Sequence, residues 1–395
     1  MRIGIDYTAA IRQRAGIGRY ARELVTALLS LGSDAHQYAM FAATGGLDRA
    51  LWQQETDRLR EICNLQSATR SSQLAICSLP LSDDWVARLW HRLRLPIPVE
   101  TITGALDVFY SPDFLLLPTR RATRTALTVH DFSFLHYPEY FVPKLVQYLN
   151  QTVPRSVDRA DLVLADSQAT RADLIAHLGT SPDKVQVLYG GVDARFRPEQ
   201  EPGERERLES RYGIGERPYI FSVGTIQPRK NYIRLIRAFA KLDRSHSHRF
   251  ADLELLIAGG QGWLYQDIFA EADKHGDRVR ILGFVDDVDL PALYRNATLF
   301  AFPSLYEGFG FPVLEAMACG VPVISSNASS LPEVAGDAAL LVDPLDVDSL
   351  IDAMARALDD EDFYQEMILR GIAQAAQFTW ERAARQLLTA FNDIG

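Results

Sequence analysis

Two glutamates, Glu307 and Glu315, sit in the run Ser304-Leu305-Tyr306-Glu307-Gly308-Phe309-Gly310-Phe311-Pro312-Val313-Leu314-Glu315. Carboxylates so placed can accept hydrogen bonds from sugar hydroxyls, and Gly308 and Gly310 let a ligand approach the backbone closely. Tyr306, Phe309 and Phe311 surround the same loop with aromatic mass. Upstream, Arg229 and Lys230 enter a helix in Gly224-Thr225-Ile226-Gln227-Pro228-Arg229-Lys230-Asn231. Adjacent cations at a helix N-terminus oppose its dipole unless an anion occupies the same spot, so a phosphate group suits them. His130 follows an apolar run in Val129-His130-Asp131-Phe132, where an imidazole can bond a sugar hydroxyl or a leaving phosphate; Asp131 is the weaker candidate there. Each has a plainer alternative: Glu315 stabilising its own helix, Glu307, Arg229 and Lys230 solvated in loops, and His130 a satisfied structural residue.

The elements that must position these groups are short apolar runs separated by helical patterns. Val108-Phe109-Tyr110, Thr125 to Val129, Leu162-Val163-Leu164, Val185 to Leu188, Tyr219 to Val223, Leu255-Leu256-Ile257, Val279 to Ile281, Leu299-Phe300-Ala301 and Val321 to Ile324 read as buried strands. Tyr232, Leu235, Ile236 and Phe239 share a helix face between two of them, and Leu350, Met354 and Leu358 share another. Alternation of strand and helix predicts an α/β fold with parallel sheets. Pro312 suits the first helical position and Gly320 the C-terminal cap, which puts Glu315 in the first turn and Glu307 in the loop beyond a strand's carboxyl end. That edge is where α/β proteins place ligands.

A length of 395 residues calls for two domains, and 47% apolar with 23% charged residues is ordinary globular usage. The irregular stretch Asp193 to Pro218 sets the boundary, giving domains of 1–195 and 196–377. The amphipathic helix of 378–395 packs back on the first. A net charge of −10 disfavours nucleic acid as a partner. Cys63, Cys77 and Cys319 are an odd number without a C-x-x-C pair, which fits a reducing compartment without zinc. The opening residues read as a first strand rather than a leader, and no apolar run approaches the ~20 residues of a membrane span, so a cytoplasmic protein is expected, with a possible peripheral seat at the inner face of the membrane.

The run from Glu307 to Glu315 matches the E-x7-E signature of the large retaining glycosyltransferase family 4, of GT-B fold, and the resemblance extends over nearly the whole chain. It implies two facing Rossmann-like domains with an interdomain cleft, the acceptor received by the first and a nucleotide-sugar donor held by the second. By the same resemblance Glu307 lies beside the transferred sugar and Glu315 binds the nucleotide ribose. Arg229 and Lys230 hold the diphosphate, and the loop of Gly283-Phe284-Val285-Asp286 holds the base through its backbone. Many members carry arginine where this chain has Thr225, a departure that leaves more of the phosphate charge to Arg229 and Lys230. The resemblance also implies that Gly16 and Gly18, in Gly16-Ile17-Gly18-Arg19-Tyr20-Ala21, face the diphosphate, the plainer alternative being an ordinary strand-to-helix loop. The motifs look most like those of bacterial mannosyl- and rhamnosyltransferases of surface polysaccharide assembly, which favours GDP-mannose and a saccharide or lipid-linked acceptor, with no cofactor and no metal.

Three rivals remain. A glycosyl phosphorylase or sucrose-synthase-like enzyme uses the same scaffold. An NAD-dependent dehydrogenase would use Gly16-x-Gly18-x-x-Ala21, but those glycines lie well past the first strand and the second strand ends without an acidic residue for the ribose. A non-catalytic sugar-binding protein would not need the glutamates and the cations together. Asp287-Val288-Asp289 and Asp346-Val347-Asp348 spell the metal-binding D-x-D, yet Asp289 and Asp348 precede helical patterns and are expected to be N-caps. Trp85 to Leu95 mixes tryptophan, leucine and arginine at helical spacing; it is either a core helix with arginines in water or a surface that touches a membrane.

Overall fold

The computed structural model describes residues 1–13, 16–32, 35–66, 73–242 and 252–395; Ala15, expected to open the first glycine loop, lies outside them. The chain forms two units, one of residues 1–131, 147–191 and 379–395, the other of 132–146 and 192–378. The division falls between Gly191 and Val192, close to the expected boundary. The segment 132–146, expected within the first domain, belongs to the second unit. The stretch expected to be an irregular linker instead contains a helix, Glu204–Tyr212.

The first unit is built on β1 (Arg2–Asp6), β2 (Gln37–Ala43), β3 (Leu74–Leu79), β4 (Val108–Ser111), β5 (Arg124–Val129), β6 (Leu162–Ala165) and β7 (Val185–Val187). They pair in the order β3-β2-β1-β4-β5-β6-β7, every pair parallel. The second unit has β8 (Tyr219–Val223), β9 (Glu254–Ala258), β10 (Val279–Gly283), β11 (Leu299–Phe302), β12 (Val323–Ser326) and β13 (Ala339–Val342), parallel in the order β10-β9-β8-β11-β12-β13. β3 and β13 are absent from the strands read off the sequence. Both are apolar runs, Leu74-Ala75-Ile76-Cys77 and Ala339-Leu340-Leu341-Val342, but they lie at sheet edges and are only partly buried.

Each sheet winds outward from its first strand and then reverses, between β1 and β4 and again between β8 and β11. At such a reversal the loops leaving the two strands diverge to opposite faces and open a crevice at their carboxyl ends. The helix Tyr232–Lys241 fixes this edge of the second unit by burying Tyr232, Leu235, Ile236, Ala238 and Phe239 against Leu255 and Ile257 of β9 and Leu350 and Met354 of the helix Val347–Asp359. Truncating one such leucine to alanine costs about 2–5 kcal/mol, because the surrounding core refills the hole only in part.

In the first unit, the helix Trp380–Ile394 docks on the helix Ile17–Leu31, with Trp380 edge-on to Tyr20 at 5.7 Å between ring centroids. The Trp85–Leu95 segment is not one regular helix. A short turn, Asp83–Val86, runs into a π-helical stretch, Ala87–Arg92, which turns Trp90 into the core, where its indole N–H donates to Ile97 O at 2.7 Å. Trp85 and Leu93 stay exposed.

Candidate active site

The loops leaving β8 and β11 carry the acid and both cations. After β8, Gly224 takes φ 152°, and a Cβ there would come within 3.1 Å of the Lys230 side chain. The chain then makes the tight turn Pro228–Lys230 and reaches Asn231 in the left-handed region, φ 62°. Asn231 holds the turn in place, its side-chain amide donating to Pro303 O at 3.0 Å and Pro344 O at 2.6 Å. After β11, Leu305 N donates to Arg229 O at 2.9 Å, which zips the two loops together.

The result is a buried charge cluster. Lys230 Nζ lies 2.6 Å from Glu307 Oε1, Arg229 reaches Glu307 Oε2 at 3.1 Å, and the Arg229 guanidinium also donates to Tyr306 O. The ammonium sits 4.8 Å from the centre of the Phe302 ring, a cation–π contact at the end of β11. Burial pushes the Glu307 carboxyl up, but the charges of Arg229 and Lys230 outweigh it and hold the group down at about 2. Glu307 is therefore ionised at any working pH, and its two cations are fixed in space before a ligand arrives.

The loop after β12 supplies contacts that no motif in the sequence announces. Ser329 takes φ 50°, unusual for a residue with a Cβ, and its hydroxyl accepts Glu307 N–H at 2.8 Å. Ser330, fully buried, donates to Glu307 O at 2.9 Å and to Phe309 O at 2.7 Å. A serine pair in a small-residue loop looks like any turn. The only hint is that backbone strain in a non-glycine residue tends to mark functional loops.

Glu315 lies in the helix Phe311–Ala318, which starts one residue before Pro312. It therefore falls in the second turn rather than the expected first, too deep to gain much from the helix dipole. It is 3% exposed, and Glu315 Oε2 accepts the Tyr294 hydroxyl at 2.9 Å. Cys319 is the C-cap and Gly320, at φ 72°, the residue after it. Phe309 is buried, edge-on to both Phe311 at 4.8 Å and Phe378 at 5.8 Å, so packing alone accounts for much of the aromatic mass. Gly310 has φ 121°, and a Cβ there would strike Leu331 at 2.8 Å. Gly308 is buried in the same loop. Thr225 is exposed beside Gly262, and Val285 is buried while its neighbour Phe284 is open.

Neither D-x-D triplet ends as expected. Asp289 occupies a helix N-cap position without capping; its fully buried carboxylate takes Arg207 at 2.8 Å, Arg211 at 2.5 Å and the Tyr212 hydroxyl at 2.8 Å. In the other triplet the cap is Asp346 and not Asp348: its carboxylate accepts the N–H of Asp348 and Ser349.

His130, Gly16 and Gly18 belong to the first unit. His130 is buried after β5, with Nδ1 2.6 Å from Asp166 Oδ2 and Nε2 2.9 Å from Pro112 O. Two acceptors on the two ring nitrogens call for an imidazolium. Burial pushes its pKa down, but Asp166 more than compensates and raises it to about 9. The ring meets Tyr20 edge-on at 5.0 Å. With both nitrogens engaged inside the protein, the side chain is held as a fixed charge. Gly18 does not lie in a loop but inside the helix Ile17–Leu31, where a Cβ would come within 2.0 Å of Gln13 O; helix packing requires it whatever else it does. Gly16 precedes that helix at φ 60° with open space beside it.

Residues 204–374 match the family model "Glycosyl transferases group 1" and residues 14–196 match "Glycosyltransferase Family 4". The chain is 31% identical over 381 residues to O-antigen chain mannosyltransferase B of Escherichia coli, covering 95% of this chain and 96% of that protein. It is 33% identical over 263 residues to the serotype-specific mannosyltransferase WbdA of Escherichia coli, a match covering 66% of this chain and 31% of that longer protein. Among solved structures, sucrose-phosphate synthase from Thermosynechococcus elongatus superposes with a TM-score of 0.72 at 18% identity, covering 100% of this chain and 98% of that one, a likeness of fold alone.

Proposed function

We propose, from the premise that this chain belongs to glycosyltransferase family 4, that it transfers mannose or a related hexose from a GDP-linked donor to a saccharide or lipid-linked acceptor, with retention and without a metal. That it is a glycosyltransferase of GT-B fold with mannosyltransferase relatives follows from the match over 95% of the chain. The donor, the stereochemistry and the metal independence are the proposal. The mannosyltransferase relatives favour the donor, and one observation supports charge stabilisation without a metal: a buried carboxylate, Glu307, held between two fixed cations, Arg229 and Lys230, where the order of a parallel sheet reverses.

In the proposed reaction the bond from the sugar's anomeric carbon to the diphosphate oxygen breaks. Positive charge grows on the sugar ring and negative charge on the diphosphate. Arg229 and Lys230 oppose the latter in a buried setting where fixed charges act strongly. Glu307 faces the former. The acceptor hydroxyl oxygen bonds to the anomeric carbon on the face the diphosphate leaves, and its proton passes to the departing phosphate oxygen. Glu315, turned by Tyr294, is assigned to the nucleotide ribose, and the backbone around Val285 to the base. Gly16 and Gly18 are assigned to the diphosphate. His130 is assigned to the leaving phosphate, acting through its fixed positive charge, since its ring nitrogens are taken.

The segment from Asp83 to Ile97 exposes Trp85, Leu93 and Ile97 together with Arg88, Arg92 and Arg94, against exposed Asp83 and Asp84, so it is apolar and slightly cationic on a chain of net charge −10. This surface is assigned to the cytoplasmic face of a membrane that carries the acceptor. Among the described residues no helix is long and apolar enough to cross one.

The direct experiment is a thermal-shift screen of nucleotide-sugars followed by product analysis, because a ligand bound only by the folded state raises its stability by mass action. Stabilisation by GDP-mannose together with transfer giving an α-linked product supports the reading. Transfer only from a uridine-linked donor, or inversion at the anomeric carbon, would sink that part of it.

A further inference from the structure

The second unit carries a row of aromatic side chains that starts at buried Tyr306, whose carbonyl accepts Arg229 of the charge cluster, and runs away from that cluster. The segment 132–146 brings His136, Tyr137, Tyr140 and Phe141 to the unit. His136 stacks on Tyr306 at 4.7 Å between ring centroids, and Tyr306 meets Tyr137 edge-on at 6.5 Å. Tyr137 and Tyr140 lie parallel, 2° apart in plane and 5.8 Å between centroids. The loop after β9 completes the row: Trp263 donates its indole N–H to Tyr140 O and packs on Phe141 at 5.4 Å. Leu264, next to it, takes φ 56°, a backbone that a side chain rarely adopts.

A set of rings gathered only to anchor the segment would be expected to close over. This one stays part open. His136 is exposed, and Tyr137, Tyr140, Phe141 and Trp263 are each half-buried, while exposed Glu139 and Lys144 add charged hydrogen-bonding groups at the rim. Flat aromatic faces bordered by a few polar groups are what a sugar ring binds, its C–H face against the ring and its hydroxyls to the rim. The row also begins at Tyr306, whose neighbour in sequence is Glu307, and the Tyr137 hydroxyl bonds Leu305 O at 3.4 Å. A saccharide lying along these rings therefore ends next to the catalytic loop.

We infer that His136, Tyr137, Tyr140 and Trp263 form an acceptor subsite for a mannose-containing oligosaccharide. This rests on the saccharide-acceptor reading above, departs from the expectation that the first domain receives the acceptor, and names second-unit residues that hold it beyond its reacting sugar. It also gives a function to the segment that leaves the first half of the sequence to join the second unit.

The test uses the full chain and α-linked mannotriose, with binding followed by saturation-transfer NMR so that the readout needs no turnover. Wild type is expected to bind saturably, Trp263→Ala to weaken binding about tenfold, and Trp263→Phe, which keeps a ring but loses the bond to Tyr140, to stay within about threefold. Tyr140→Leu serves as a second variant should Trp263→Ala fold poorly, the thermal midpoint serving as the check on folding. Unchanged affinity in a folded Trp263→Ala or Tyr140→Leu, equal losses in the Phe and Ala variants, or no saturable binding by wild type would overturn the subsite. Mannotriose binding by wild type that fails to transfer from any nucleotide-sugar would sink the donor reading and leave the subsite standing.

Discussion

Lys230 and Glu307, 77 residues apart in sequence, meet at 2.6 Å inside the second unit, with Arg229 closing on the other carboxylate oxygen at 3.1 Å. The charge cluster is held together by the protein's own groups, so its parts can be removed one at a time.

Removing the acid is expected to affect chemistry before binding. Glu307→Gln keeps the shape and should reduce transfer by at least about 10²-fold, the scale of losing one charge-stabilising group. GDP affinity should stay within about threefold by calorimetry, an effect below ~1 kcal/mol. Glu315→Ala should do the reverse, weakening GDP while the residual turnover at saturation changes less, because its proposed ribose bonds form before the reaction. Wild-type-like turnover in Glu307→Gln, or unchanged GDP affinity in Glu315→Ala, would undo the respective assignment.

Fixed cations replace a metal in the proposed reaction. Activity should survive thorough EDTA treatment and fall by about 10²–10³ in Lys230→Ala, with Arg229 limiting the loss. Loss on chelation, restored by magnesium or manganese, combined with a nearly silent Lys230→Ala, would show the mechanism to be metal-dependent.

Ser329 is expected to act as a positioning residue, through its bond to the Glu307 backbone. Ser329→Ala and Ser329→Gly both remove the acceptor, and Gly also relieves the φ of 50°. Both should lower kcat about tenfold with little change in donor KM, whereas Ser329→Asn, tolerant of the left-handed region and still an acceptor, should recover most of it. A kcat that tracks thermal stability across the three variants would mean that the serine only holds the fold.

His130 links stability to pH with a definite sign. Its folded pKa, raised from 6.5 to about 9 by Asp166, contributes stability that is fully present below pH 6.5 and is lost as pH rises through about 9. Urea midpoints measured between pH 6.5 and 9.5 should fall in wild type and flatten in His130→Gln; parallel curves would remove the imidazolium from the account.

The cationic surface around Trp85 predicts sedimentation with anionic vesicles at low salt, weakened by added salt and by Arg88→Glu. Equal sedimentation with neutral and anionic vesicles, or none with either, would leave Trp85 and Leu93 without a membrane role.

Much of the fold was legible because strands buried on both faces must be apolar throughout: β4, β5, β6, β8, β9 and β11 stand out in the sequence for that reason alone. Glu307, Glu315, Arg229 and Lys230 stood out in the sequence by type and position, two carboxylates around a glycine loop and two cations entering a helix, whereas their burial and mutual contact did not. The edge strands β3 and β13 are apolar too, Leu74 to Cys77 and Ala339 to Val342, so a short apolar run by itself did not separate a strand from other buried chain.

What the sequence by itself determined was therefore local: which runs become strands, which helix faces turn inward, and which loops end in glycine and charge. Tertiary structure alone decided who meets whom. The pairing of β8 with β11, in register at Ile220 with Leu299 and Phe221 with Phe300, brings the loops of Lys230 and Glu307 together. The same long-range packing gives Asp289 to Arg207 and Arg211 rather than to its own helix, engages both nitrogens of His130, and carries 132–146 into the second unit. Periodicity reports how each residue faces its own element. Contacts between residues far apart in sequence depend on strand order and register, which the whole core sets together and no single segment encodes.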